Sequence, residues 1–109
     1  MSALRGAALV VVLGAAVLWT APAAHAGDAA SGGQLARQWC AACHLVESAQ
    51  TSASDAAPSF LAIARDPTKT RAGLEVWLAD PHPPMPNMSL SNQEIDDLIT
   101  YIQSLSEGQ

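Results

Sequence analysis

The sequence predicts an all-α protein, a single small domain of about four helices. Apolar residues recur at helical spacing, most clearly at Ile95, Leu98, Ile99, Ile102 and Leu105. Proline and small polar residues punctuate the intervals between such runs. No segment carries the alternating pattern of a half-buried strand.

The amino terminus stands apart from this pattern. Met1 to Arg5 carries a single positive charge, Ala7 to Trp19 is an almost unbroken apolar stretch, and Ala24-His25-Ala26 follows as a small-residue cleavage box. The apolar run falls short of the roughly 20 residues that span a bilayer, so residues 1–26 are expected to be a cleaved secretory signal peptide and residues 27–109 the domain. Cleavage after Ala26 would leave 83 of the 109 residues, with four basic and ten acidic side chains and a net charge of −6. That balance argues against nucleic acid or an anionic membrane surface as partner, and favours a protein partner with a basic docking patch. A domain of this size buries little surface and usually needs a staple such as a metal, disulfide or cofactor.

Within the domain, Asp28 is a good N-cap for a first helix running to Cys40, with Leu35 and Trp39 one turn apart on the expected inner face. From Glu47 to Ala57 the chain is small and polar, which suits an exposed connection and specifies little else. Phe60 to Ala64 reads as one or two helical turns ended by Asp66-Pro67. A third helix begins after Thr68 or Thr70, carries Leu74, Trp77 and Leu78 at i, i+3 and i+4, and stops at Asp80-Pro81. Ser91-Asn92-Gln93-Glu94 is a capping box that opens the last helix, with Tyr101 beside its apolar stripe. Glu94, Asp96 and Asp97 load its first turns, where the helix dipole favours negative charge, and are read as capping and solubility.

The chemistry lies in Cys40-Ala41-Ala42-Cys43-His44. Cys-x-x-Cys-His is the pattern by which two thiols bond covalently to the vinyl groups of a haem while the adjacent histidine takes the iron. Such a cofactor, one haem c, would be the staple, and attachment of this kind belongs outside the reducing cytosol. Two other uses of Cys-x-x-Cys fit less well. A structural zinc site would want two more ligands, but the chain has no third cysteine and only His25 and His82 besides His44. Thioredoxin-like chemistry wants the motif to open a helix after a strand, whereas the approach from Ala29 to Trp39 is helix-compatible.

Between the third and last helices, Pro81-His82-Pro83-Pro84-Met85-Pro86-Asn87-Met88 is too proline-rich for helix or central strand. A thioether is a weak iron ligand, and a loop with few accessible backbone states would hold the sulfur near the iron with less entropy lost on ordering. Met85, flanked by prolines, is the better held of the two methionines; Met88 is otherwise a hydrophobic contact near the haem edge. His82 is a further candidate ligand, constrained by the prolines on either side and otherwise an exposed loop residue. Trp39 and Trp77 are read as packing rather than as conduits for electrons, either able to shield the haem, and the Trp77 indole could offer its N–H to a propionate.

Taken together, these motifs resemble the small class I c-type cytochromes of bacterial electron transfer over essentially the whole of residues 27–109. The resemblance implies a cytochrome c fold wrapped around one covalently bound haem. It matches Cys40, Cys43 and His44 to the haem-attachment element and the proximal iron ligand, and Met85-Pro86 to the distal ligand element. Leu90-Ser91, Glu94, Leu98 and Tyr101 fall where the family places its turn, acidic residue and final aromatic helix. The distance from Met85 to Tyr101 resembles that of compact members, which implies Met85 as the ligand in preference to Met88, and members generally use a methionine rather than a histidine such as His82. Pro58, in Ala57-Pro58-Ser59-Phe60, resembles the family's Gly-Pro-Asn-Leu stretch, whose proline carbonyl accepts a hydrogen bond from the proximal histidine; Ala57 stands where glycine is common.

Histidine on one iron face and methionine on the other leave no open site for substrate, and methionine raises the potential. The implied function is a soluble, monomeric, periplasmic one-electron carrier that meets its redox partners through transient interfaces and is not an enzyme. Alternatives are a haem subunit of a periplasmic dehydrogenase or oxidase, a haem gas sensor or peroxidase-like protein, and a thiol-disulfide oxidoreductase.

Overall fold

A computed structural model of the protein describes residues 27–54, 56–81 and 83–108. The expected signal peptide, residues 1–26, and the candidate ligand His82 lie outside the described residues. The described residues form four α-helices and no strand: α1 (Ala29–Leu35), α2 (Phe60–Arg65), α3 (Arg71–Ala79) and α4 (Asn92–Glu107). The all-α expectation holds.

Each helix starts where local chemistry says it should. The Asp28 carboxylate accepts the N–H of Ala30, Ser59 that of Ala62, Thr70 that of Gly73 and Ser91 that of Glu94, so every α-helix has a side-chain N-cap. At α4 the box is reciprocal, because the Glu94 carboxylate accepts the Ser91 N–H at 2.8 Å.

The end of α1 departs from the expected regular helix. Ala36–Cys40 form a π-helical turn, in which the N–H of Ala41 reaches the carbonyl of Ala36 at 3.1 Å. The extra residue turns the next stretch of chain by about 100° relative to a regular helix. In consequence Cys40, five residues beyond Leu35, takes the inward place that a regular helix would give to Trp39. Leu35, Ala36, Cys40 and Ala41 all pack on the core, whereas Trp39 is 49% exposed. The expected pairing of Leu35 with Trp39 on one inner face is therefore corrected by the widened turn.

The long α4 is the spine. Its stripe of Ile95, Leu98, Ile99 and Ile102 is buried, against Ala36, Val46 and Phe60 on one side and Leu74 on the other. Full burial of each such side chain stabilises the fold by about 1.5–3 kcal/mol. Ile63, Leu78 and Leu90 touch both groups and join them into one core.

Across the other face of α4 runs α1, and the crossing is close. A Cβ placed on Gly32 would lie 2.0 Å from the Asp97 carbonyl oxygen, so nothing larger than glycine fits. Asp97 itself is buried, and its carboxylate accepts the N–H of Asp28 at 2.7 Å and the side-chain amide of Gln93 at 2.8 Å. The expectation that Asp97 served only capping and solubility is thus corrected: it ties the start of α1 to α4. On the opposite side Arg71, at the start of α3, pairs with Asp96 and reaches Gln103 at 3.3 Å and Glu75 at 3.6 Å.

Candidate functional site

The Cys-x-x-Cys-His segment comes directly after the π-helical turn. The N–H groups of Cys43 and His44 both donate to the Cys40 carbonyl, at 3.1 and 2.9 Å, which bends the chain into a tight turn at the motif. Cys40 is half-buried against the core, Cys43 is exposed, and both thiols are free. Burial, with a smaller contribution from the neighbouring Cys43, pushes the Cys40 thiol up to about 11. That is the reverse of the depressed value that marks a redox-active dithiol.

His44 is held on both sides. Its Nδ1 lies 2.6 Å from the carbonyl oxygen of Pro58. A carbonyl can only accept, so the proton sits on Nδ1 and the lone pair of Nε2 stays free for a metal. Ala57 in place of glycine does not prevent this contact. Pro58 immediately precedes the N-cap of α2, and the Phe60 N–H donates to the Leu45 carbonyl at 2.9 Å, so the start of α2 is pinned to the residue beside His44. The Phe60 ring backs the imidazole, with centroids 5.3 Å apart.

Gln50 was not legible as a functional residue. Its side-chain oxygen accepts the Val46 N–H at 2.9 Å, while its Nε2 donates to the carbonyls of Ala41 (2.8 Å), His44 (2.9 Å) and Ser52 (3.0 Å). One side chain thus fastens the haem motif to the loop after it, inside a stretch whose composition specified only exposure. Tyr101 adds a long-range tie, its hydroxyl donating to the Val46 carbonyl at 2.6 Å.

A second group forms on the other segment singled out by the sequence. Met85 and Met88 are placed in the loop before α4, with Met85 half-buried. The Trp77 indole, on α3, donates its N–H to the Met85 sulfur at 3.3 Å. The structure thus directs the indole N–H at a candidate ligand, where the sequence suggested a propionate. Asn87 fixes the loop further on, its side-chain oxygen accepting the Ser89 N–H at 2.8 Å where Ser89 takes a positive φ of 54°. The site residues therefore fall into two groups, Cys40, Cys43, His44 and Pro58 in one and Trp77 and Met85 in the other.

These groups fit a haem. Two unpaired thiols stand beside an imidazole whose Nε2 is free, a thioether is steadied elsewhere, and Trp39, Leu45 and Trp77 remain between 40% and 49% exposed. A flat apolar cofactor bonded to the thiols is what would cover large side chains of this kind. The open groove between α3 and α4 that contains Glu75, Val76 and Gln93 includes none of the predicted site residues.

Comparison with known proteins agrees with this chemistry. The family model described as cytochrome c matches residues 29–106. The chain is 44% identical over 102 residues to cytochrome c-552 of Bradyrhizobium diazoefficiens, a match that covers 94% of each chain. No solved structure matches the chain. Among the described residues no helix is long and apolar enough to cross a membrane.

Proposed function

Since the chain belongs to the cytochrome c family, whose covalently bound haem c makes it an electron carrier, we propose that it is a periplasmic one-electron shuttle with His44 and Met85 as the two axial iron ligands. Cys40 and Cys43 form the thioether bonds that prevent the haem from leaving. When bound, the haem supplies the Fe(III)/Fe(II) couple, and the protein's part is to fill both axial positions so that substrate has none.

The reading rests above all on the contact of His44 Nδ1 with the Pro58 carbonyl. That bond fixes the tautomer and aims the ring, which is what a histidine ligand to iron requires of its surroundings. On the distal side Met85 sits between two prolines in a loop of restricted backbone freedom. A thioether ligand favours the reduced iron and keeps the potential high.

Export is expected from the signal peptide proposed for residues 1–26, with residues 27–109 acting as a soluble monohaem domain. With both axial positions filled, the protein is not an enzyme in its own right. Its acidic surface suits brief docking to redox partners that present basic residues.

Visible spectra of protein recovered from a periplasmic extract test this function. Sharp reduced bands, a weak sulfur-to-iron band when oxidised and no response to carbon monoxide are expected. High-spin iron that binds carbon monoxide would instead indicate sensing or peroxidase chemistry. The mass of the same sample should equal residues 27–109 plus one haem.

A further inference from the structure

Among the described residues Asp97 is the one buried charged side chain, 7% exposed. Its carboxylate accepts the Asp28 N–H and the Gln93 amide, and both bonds fall on Oδ1. The ion pairs among the described residues, Arg37 with Glu47 and Arg71 with Glu75 and Asp96, do not include it. A buried carboxylate ordinarily has a cation beside it. Gly27 adjoins this carboxylate. One Cα and one carbonyl carbon separate its nitrogen from that of Asp28, which places it no further than about 6.5 Å from Asp97 Oδ1. Gly27 is half-buried and lies hard against α4, where an added Cβ would come 2.2 Å from Thr100 Oγ1 and 2.4 Å from the Asp96 carbonyl oxygen. Glycine alone fits so close an approach, and it brings the residue's nitrogen to a surface of oxygen acceptors.

We infer that the α-ammonium group freed at Gly27 by removal of residues 1–26 is the counter-charge of the buried Asp97 carboxylate, so that cleavage completes the junction between α1 and α4. The inference rests on the proposed cleavage after Ala26. Hydrolysis of the Ala26–Gly27 bond by the peptidase of the export machinery leaves a carboxylate on Ala26 and an amine on Gly27, which takes up a proton at neutral pH. Before that step the Gly27 nitrogen is a neutral amide. Afterwards it carries a positive charge among Asp28 beside it and Asp96 and Asp97 on α4, of which Asp96 is already shared with Arg71 of α3. An opposite charge at this range favours the charged form of the amine. The amine then keeps its proton to higher pH than a free one, so the stability it adds is present below the range of a free α-amino group and is lost as pH rises through the higher folded value.

Lys69 is the sole lysine of residues 27–109, so in Lys69→Arg holoprotein the Gly27 amine is the one primary amine left to acetylate. Acetylation to completion by mass, with hydroxylamine to remove esters, should lower Tm by about 4–8 °C near neutral pH. The same treatment of the Lys69→Arg, Asp97→Asn double variant, whose amide oxygen can still accept the Asp28 N–H, should leave Tm unmoved. No fall in the first protein, or an equal fall in both, would overturn the inference.

Amino-terminal sequencing of the exported holoprotein separates this inference from the reading beneath it. Gly27 at the terminus supports cleavage after Ala26, whereas another terminus overturns that reading and the inference with it. Nuclear magnetic resonance titration of the unaltered holoprotein needs no variant to fold. The Gly27 amine should titrate above the usual range of an α-amino group, and an ordinary value overturns the inference while cleavage after Ala26 stands.

Discussion

The two sides of the site are held by very different means. Around His44, Gln50 gathers three carbonyls, Pro58 takes the imidazole proton, Phe60 backs the ring and Tyr101 anchors Val46 from the far helix. Around Met85 the described residues offer the stiffness of the flanking prolines and an N–H to sulfur contact from Trp77. If His44 and Met85 are the ligands, as proposed, the stronger donor receives the more elaborate support and the weaker one the lighter, and change at the iron should begin on the methionine side. The contrast also divides the labour of the framework, because the first side draws on α2 and α4 and the second on α3.

The comparison can be broken most severely at the crossing that supports the His44 side. Gly32→Val would press a branched side chain into the Asp97 backbone, and overpacking of this kind costs at least about 1–3 kcal/mol where neighbours can yield. Here the obstacle is backbone, so we expect loss of the cooperative thermal transition, read by circular dichroism. Next in size is Met85→Ala, which should open the iron to carbon monoxide and lower the potential by a substantial part of the roughly 0.8 V range that axial ligands command. Unchanged values would move the ligand role to Met88 or His82.

Gln50→Leu sharpens the contrast from the supported side. It removes the partner of the Val46 N–H and of the Ala41 and His44 carbonyls, at an expected cost of about 2–3 kcal/mol, or on the order of 10 °C in Tm. The potential should move far less than in Met85→Ala, since the His44 to Pro58 bond remains. Equal shifts in the two variants would contradict the division between stability on one side and tuning on the other.

The smallest expected effect concerns acid stability away from the iron. The backbone N–H of Ser91, and then its hydroxyl, hold the Glu94 carboxyl below the usual carboxylate range. Asp28 is held low in the same sense by the Ser31 hydroxyl and then the Ala30 N–H. A depressed carboxyl contributes stability above its unfolded value, and that contribution fades as pH falls through the folded one. Stability should therefore decline below about pH 4, and Glu94→Gln should flatten part of that decline while retaining an acceptor for Ser91.

Legible in the sequence was whatever depends on near neighbours. The Ser91 and Glu94 box, the Asp28 cap and the stop at Asp66-Pro67 are set by groups a few residues apart, and each appears as expected. The Cys-x-x-Cys-His segment was legible because its chemistry lies within five residues. Hidden were the ties that need the topology first: Asp28 to Asp97 spans 69 positions and Tyr101 to Val46 spans 55. Trp39 was misplaced because one extra residue in a turn leaves no mark in apolar spacing, and Gln50 because a polar loop residue looks alike whether it faces water or three carbonyls.

The glycine crossing of α1 and α4 also bears on the order of events in a newly made chain. Export led by the proposed amino-terminal signal peptide would deliver α1 and the two thiols to the outside first and α4 last. The contact that closes the domain cannot form until Asp97 has emerged to receive the Asp28 N–H and lie against Gly32. Until then the motif is tethered to an unsealed helix and remains reachable from outside. Placing the two halves of the closing contact at opposite ends of the domain makes the fold wait for its own completion, and leaves an interval in which a cofactor can be joined to the chain.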